Sequence, residues 1–169
     1  MTKHRFDYKH IVENILKKFF IAAAIAATAL ATPAMAADFV GPRIEATVGV
    51  DDVTKLPERS DLNYGAAIGI DAPFLGDKLT IGVEANVDNV FAYRDWGAAA
   101  RLGYKVSNRV LVYGKAGYAD FRGLEGVRVG GGIDYALTDH LYAGVEYRYT
   151  DFEKNVGRHA GLVKIGVRF

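Results

Sequence analysis

Cysteine is absent from the 169 residues. That removes disulfides and thiolate metal sites together, although an exported chain is free to form disulfides. Stability then has to come from packing, hydrogen bonds and lipid. Long apolar runs are also missing beyond the start of the chain, where no segment reaches the roughly eighteen consecutive apolar residues of a membrane-spanning helix. Nor is charge of one sign in excess. Beyond residue 36 there are 16 Lys and Arg against 18 Asp and Glu, a balance that argues against a nucleic-acid partner, for which a basic domain is the usual footprint. Serine and histidine are scarce in the same stretch, with only Ser60, Ser107, His140 and His159.

The first 36 residues are of another kind. Lys3, Arg5, Lys9, Lys17 and Lys18 make a long basic start, residues 19–30 are apolar or small without interruption, and Ala34-Met35-Ala36 is a small-x-small site. This is the layout of a secretory signal peptide, with cleavage expected after Ala36 and with Ala34 and Ala36 as the small residues read there. A membrane anchor is the competing reading. Its apolar run, closed by an Ala-rich stretch and Pro33, is shorter than the about twenty residues a spanning helix needs. The remainder, 37–169, is 133 residues and suits one domain.

That remainder is dominated by a period of two. In 161–169, Val163, Ile165, Val167 and Phe169 share one parity while Lys164, Gly166 and Arg168 hold the other. Such alternation predicts a strand with one apolar face and one face of charge and glycine. Strands are likewise predicted over 43–50, 62–72, 79–88, 95–106, 110–119, 127–137 and 141–150. The third is the most regular, with Leu79, Ile81, Val83, Ala85 and Val87 against Thr80, Gly82, Glu84, Asn86 and Asp88. Longer polar loops are expected at 51–61, through Phe91 and Tyr93, at 120–126 and at 151–158. Short turns are expected around Pro73, at 107–109 and at 138–140. Eight strands of about 8 to 12 residues, with long and short connections alternating, match an antiparallel up-and-down transmembrane β-barrel.

Alternation does not by itself say which parity faces inward, and a soluble periplasmic ligand-binding barrel would turn the apolar parity to its core. Two features favour the opposite arrangement. The polar parity mixes glycine with Glu45, Glu84, Arg101, Lys105, Lys115, Arg128, Asp134, Glu146, Arg148, Lys164 and Arg168, which suits the filling of a narrow eight-stranded interior. Aromatic residues of the apolar parity gather at both strand ends: Tyr64, Trp96, Tyr118, Tyr147 and Tyr149 at one, Phe74, Tyr104, Tyr135 and Phe169 at the other. Two aromatic bands around an aliphatic belt are what headgroups and hydrocarbon select. Backbone satisfaction in lipid further requires the last strand to close on the first. With that strand ending on Phe169, no periplasmic domain is expected.

Gly144-Val145-Glu146-Tyr147-Arg148-Tyr149-Thr150-Asp151-Phe152, Tyr113-Gly114-Lys115-Ala116-Gly117-Tyr118 and the closing Gly166-Val167-Arg168-Phe169 resemble strands of the small outer-membrane barrels of the outer membrane protein A and opacity-porin type. Val163, Ile165, Val167 and Phe169 resemble the assembly signal of such barrels. The resemblance implies an outer-membrane location, contact with outer-membrane lipids, insertion by the barrel assembly machinery and a monomeric state.

Chemical sites are sparse. Ser60 and His159 fall at the longer-loop end on strands that adjoin on closure, as a Ser-His pair of a lipid-modifying barrel would, yet no acidic orienter is evident beside them. Asp51, Asp52, Glu58 and Asp61 form an acidic first loop without the spacing of a calcium loop, and Gly130-Gly131-Gly132 lies inside a strand rather than before a helix. No catalytic residue, cofactor or metal is therefore assigned. Buried charges need partners, so the inward charges are expected to pair, with Glu146 near Lys164 and Arg168 and with Lys115 near Arg128 and Asp134. The reading is a non-catalytic barrel closed by a charged plug, serving envelope integrity or meeting a surface ligand through its loops. A narrow porin-like channel lined by the same charges is the alternative.

Overall fold

A computed structural model describes residues 39–53, 60–90, 93–153 and 156–169. The signal-peptide segment and its cleavage site lie outside the described residues. Eight strands follow one another: β1 (Gly41–Val53), β2 (Ser60–Pro73), β3 (Leu79–Val90), β4 (Tyr93–Ser107), β5 (Val110–Phe121), β6 (Leu124–Ala136), β7 (Leu141–Phe152) and β8 (Val156–Arg168). Each pairs antiparallel with its neighbour in sequence, and β8 returns to β1 to close the barrel. The even strand number puts both described chain ends at one end, called terminal here. The hairpins after β1, β3, β5 and β7 lie at the other, distal end.

Parity decides what each residue meets. Ile68, Val83 and Val163, all of the apolar parity, are 62, 60 and 57 % exposed on the outer wall, whereas Arg43, Glu45 and Arg101 of the polar parity are 1, 1 and 2 % exposed in the lumen. This inversion of the usual soluble arrangement is stable only where the wall meets hydrocarbon. Tyr64, Trp96, Tyr118 and Tyr147 stand exposed toward the distal end, and Phe74, Tyr104, Tyr135 and Phe169 toward the terminal end.

Glycines of the inward parity give the large side chains room. A Cβ on Gly132 would stand 2.5 Å from the Tyr113 hydroxyl, and one on Gly166 would stand 2.4 Å from the Tyr142 ring. Tyr113 and Gly132 are register partners, as are Tyr142 and Gly166. Each tyrosine thus lies across the strand beside it, at a point where any side chain would displace it.

The connections differ from expectation. Residues 51–53, 60–61, 120–121, 124–126, 151–152 and 156–158, read as loop from their polarity, belong to strands. The alternation simply continues past the apolar belt: Asp51 and Val53 are buried inside while Asp52 points out. A hydrogen-bond ladder is indifferent to side-chain polarity, so strands run on beyond the hydrocarbon. The β5–β6 hairpin closes on two residues, Arg122 and Gly123, with φ of 59° and 76°, the left-handed pair that matches strand twist in a tight hairpin. At the terminal end, the register between β4 and β5 shifts between Lys105 and Ser107, a bulge that leaves Val106 exposed.

Candidate functional site

Sixteen charged side chains are buried among the described residues, eight basic and eight acidic. All sixteen belong to one connected network that runs the length of the lumen. At the terminal end, Arg168 Nη1 lies 3.2 Å from Asp71 Oδ2, which also accepts from Arg43 Nε at 2.9 Å and from Arg101 Nη1 at 3.3 Å. Arg101 donates to Asp134 at 2.5 Å, and Asp134 lies 3.0 Å from Lys164 Nζ. Lys164 reaches Glu45 at 3.2 Å, and Glu45 accepts from Arg43 at 2.7 Å and from the Tyr142 hydroxyl at 2.6 Å.

Arg43 also donates to Glu84 at 3.0 Å. Glu84 accepts from Lys115 at 2.6 Å, and Lys115 lies 2.7 Å from Glu146. Glu146 pairs with Arg148 as well and accepts from the Tyr113 hydroxyl at 2.6 Å. Arg148 then donates to Asp88 at 2.7 Å. The distal part comprises Asp51, Asp95, Arg128 and Arg158. Arg128 donates to Asp95 at 2.8 Å, Arg158 pairs with Asp95, and Arg158 Nε lies 3.3 Å from Asp51. Its one direct ion pair to the rest is Arg128 with Asp88 at 3.9 Å, so two parts of zero net charge meet at a loose joint.

Apolar side chains bound this network at both ends. Phe39, Leu111 and Ala136 form a buried cluster at the terminal end, where the Arg168 guanidinium sits 5.4 Å from the Phe39 ring and 5.2 Å from the Tyr142 ring. At the distal end Val53, Val90, Ala119 and Phe152 are buried. There Arg158 lies 5.4 Å from the Phe121 ring and 5.2 Å from the Phe152 ring. Burial among these side chains lowers the local dielectric, which strengthens each ion pair and raises the cost of stranding one partner.

The structure brings together Glu45, Glu84, Arg101, Lys115, Arg128, Asp134, Glu146, Arg148, Lys164 and Arg168, but the pairs differ in part from those expected. Lys164 does pair with Glu146, at 3.9 Å, while holding Asp134 and Glu45 more closely, and Arg168 pairs with Asp71 instead. Lys115 meets Glu84 and Glu146 rather than Asp134 or Arg128. Neighbouring strands place like-facing residues side by side, yet long side chains in a narrow lumen reach over a strand or straight across: Arg148 of β7 meets Asp88 of β3, and Arg158 of β8 meets Asp95 of β4. Six members escaped the sequence reading. Arg43, Asp71 and Asp88 carried the signal of inward parity; Asp51, Asp95 and Arg158 sat at strand ends or in stretches read as loop. Lys105, placed inward by parity, is only half-buried beside the bulge.

The other candidates separate. Asp51 belongs to the network, Asp52 is exposed, Asp61 accepts from the Leu62 backbone N–H at 2.8 Å, and Glu58 lies outside the described residues. Among the described residues no group of three or more His, Asp or Glu is arranged to hold a metal ion. Ser60 and His159 do not adjoin. Both are register partners of Asp52, so β1 stands between them, at about 10 Å between backbones for two strand spacings. The acidic neighbour missing from the sequence reading is thus present. The His159 imidazole, however, turns the other way: its Nδ1 is 2.6 Å from the Tyr147 hydroxyl on β7, and its ring packs 4.9 Å from Tyr149. At the terminal end, the Ser107 hydroxyl accepts from the Arg109 N–H at 3.3 Å and His140 Nδ1 lies 3.0 Å from the Arg168 carbonyl.

The sequence model of the outer membrane protein β-barrel domain matches residues 22–169. The chain belongs to this family. Membership places it in the outer membrane, as the inverted wall requires. No curated protein matches its sequence. Among solved structures it is similar to Ail, the attachment invasion locus protein of Yersinia pestis in complex with sucrose octasulfate, at 13 % identity and a TM-score of 0.56, covering 76 % of this chain and 99 % of that one. It is also similar to the outer membrane enzyme PagL, at 16 % identity and 0.56, covering 75 and 99 %. The N-terminal barrel domain of Pseudomonas aeruginosa OprF matches at 14 % and 0.51, covering 77 and 99 %. Identities this low show a shared fold. Since one outer-membrane barrel in this group is an enzyme, the case for or against catalysis has to be made at the side chains.

Proposed function

We propose that this outer-membrane barrel is a monomeric, non-catalytic envelope protein whose lumen is closed to ions. The observation that carries the reading is the electroneutral network of sixteen buried charges bounded by apolar side chains at both ends. A conducting pore needs a continuous water path, whereas here every inward charge of the network has an opposite charge within ion-pair distance. Against catalysis stands the orientation of His159, hydrogen-bonded on the β7 side while Ser60 belongs to β2. Between an envelope role and ligand capture through long loops, the two-residue β5–β6 hairpin and the extension of strands into expected loops favour the envelope role.

Three further parts of the proposal concern biogenesis. The segment 1–36 is an export signal removed after Ala36. Val163, Ile165, Val167 and Phe169 are the handle read by the assembly machinery; the first three stand on the outer parity of β8 beside the seam with β1, and Phe169 follows directly after the strand. Outer-membrane lipids are the partner of the wall.

The test is planar-bilayer recording on the refolded full barrel. A closed lumen gives no reproducible single-channel step at moderate voltage. A steady step in the unmodified protein rejects the reading and leaves a narrow channel lined by the same charges.

A further inference from the structure

We propose that Asp52, Tyr147, Tyr149 and His159 form a site for the ammonium group of a lipid headgroup, on the outer wall at the distal interface. This rests on the reading of outer-membrane lipids as the partner of that wall. The residues are neighbours across the seam where the barrel closes. Asp52 of β1 and Tyr149 of β7 are both register partners of His159 on β8. Tyr147 and Val50 are both register partners of Gly161, two residues along the same face of β8.

Contacts fix the aromatic part. His159 Nδ1 lies 2.6 Å from the Tyr147 hydroxyl, and the imidazole lies 4.9 Å from the Tyr149 ring and 6.1 Å from the Tyr147 ring. Three rings from two strands thus form one cluster, with Tyr147 itself 54 % exposed. The backbone beside the cluster is open. In the lumen, Tyr113 and Tyr142 lie over the glycines opposite them, Gly132 and Gly166. Tyr147 also stands opposite a glycine, but its hydroxyl goes to His159 one register pair further on. Gly161 is therefore left uncovered: it is exposed, and a Cβ on it would meet no atom within 4 Å. Between Tyr147 and Val50 the outer wall has a notch with bare backbone as its floor.

Charge selects what the notch takes. On the outer parity of β7, β8 and β1 the described residues include two carboxylates, Asp52 and Asp151, and no Lys or Arg. Asp52 is exposed and forms no ion pair with a described residue, and as a register partner its Cβ stands about 5 Å from that of His159. An anionic group is repelled there. An ammonium is attracted both by the carboxylate and by the ring faces, while the acyl chains below it meet the aliphatic wall. Height agrees with this occupant. Tyr147 belongs to the distal aromatic band, which marks the headgroup level, and Asp52 lies about 7 Å further along β1 than Val50, on the water side.

The full barrel is refolded in micelles containing equimolar phosphatidylethanolamine and its N-acetyl derivative with the same acyl chains, and native mass spectrometry counts which lipid each barrel retains. Acetylation removes the ammonium and leaves phosphate and chains as they were. A preference of about ten-fold for the free amine is expected, from about two- to five-fold each for an exposed ion pair and a cation–π contact. Asp52→Asn is expected to lower it by about two- to five-fold. Gly161→Leu, which fills the notch and leaves every charge in place, is expected to bring it near one. Asp120→Asn, which alters an acid of the same end on β5 beside Trp96, leaves it unchanged. Heat-modifiable migration checks that each variant is folded. Equal retention of the two lipids by the unmodified barrel, an equal loss in Asp120→Asn, or an unchanged preference in Asp52→Asn and Gly161→Leu overturns the site. Loss of the preference on adding millimolar free ethanolamine overturns the headgroup assignment in favour of a soluble amine. Retention of neither lipid is a different failure: it overturns the reading of lipid as the partner of the wall, and the site with it.

Discussion

Glu146→Gln tests the interior where its connections are densest. The carboxylate of Glu146 is met by Lys115 at 2.7 Å, by Arg148 and by the Tyr113 hydroxyl at 2.6 Å, with Lys164 at 3.9 Å. Removing its charge leaves five acids for six bases in the terminal part of the network, an uncompensated positive charge among buried side chains. Breaking a buried pair from one side costs about 3 to 5 kcal/mol. The remaining pairs of Lys115 with Glu84 and of Arg148 with Asp88, together with the retained amide acceptor for Tyr113, put the expected loss near the lower bound. Lys115→Met in the same chain restores neutrality, and Glu84 keeps Arg43 at 3.0 Å. The double variant is therefore expected within about 1 kcal/mol of the unmodified barrel, with a coupling energy of about 2 kcal/mol or more. Lys164→Met, the partner that strand adjacency suggests, is expected to rescue less, because Lys164 serves Asp134 and Glu45 first. Urea unfolding in vesicles, followed by Trp96 emission, measures all four proteins. Additive losses in the Glu146→Gln, Lys115→Met pair, or no loss in Glu146→Gln alone, would refute the account of the lumen as a charge-balanced network.

Val83→Arg places a charge at the middle of the outer wall and is expected to cost about 2 to 4 kcal/mol of refolding free energy in lipid, with a smaller effect in detergent that lets the side chain reach water. Gly132→Ala drives a methyl to 2.5 Å from the Tyr113 hydroxyl and is expected to cost about 1 to 3 kcal/mol by overpacking. Gly161→Ala, whose Cβ would meet no atom within 4 Å, is expected to be near neutral in the same urea assay. Deleting Phe169 is expected to lower the amount of heat-modifiable barrel in outer-membrane fractions, and normal levels would remove the last strand's role as an assembly handle.

How far the fold could be read from the sequence follows from what a period of two encodes. Val83 and Glu84 are neighbours, and alternation alone sends them to opposite faces, so the strand count, the order and both faces were legible. Strand ends were not. Asp51, Tyr93 and Phe152 look like loop residues because polarity and aromatic content change there, although the backbone ladder continues through them. Partners were less legible still. Parity places Arg148 and Asp88 in one lumen, but that they meet depends on the shear of the closed barrel and on the reach of a side chain across it, neither of which is a property of any one strand.

The same consideration explains why the interior uses glycine as freely as charge. An eight-stranded barrel is just wide enough for its side chains to fill, so every long residue has to lie over something short. Arg43 lies over Gly69, whose Cβ would fall 2.7 Å from the guanidinium carbon, and Tyr142 lies over Gly166 in the same way. The glycines and the charged residues of the inward parity therefore act together: glycines such as Gly69 and Gly166 fix the direction of a neighbour, and the direction decides which acid each base can reach. An ion-pair network built like this is specified by backbone register as much as by charge, and a one-residue slip of β8 against β1 would move Lys164 and Arg168 from the lumen to the lipid. The cost of that exposure makes the charged interior a guard on register at the seam where the barrel closes.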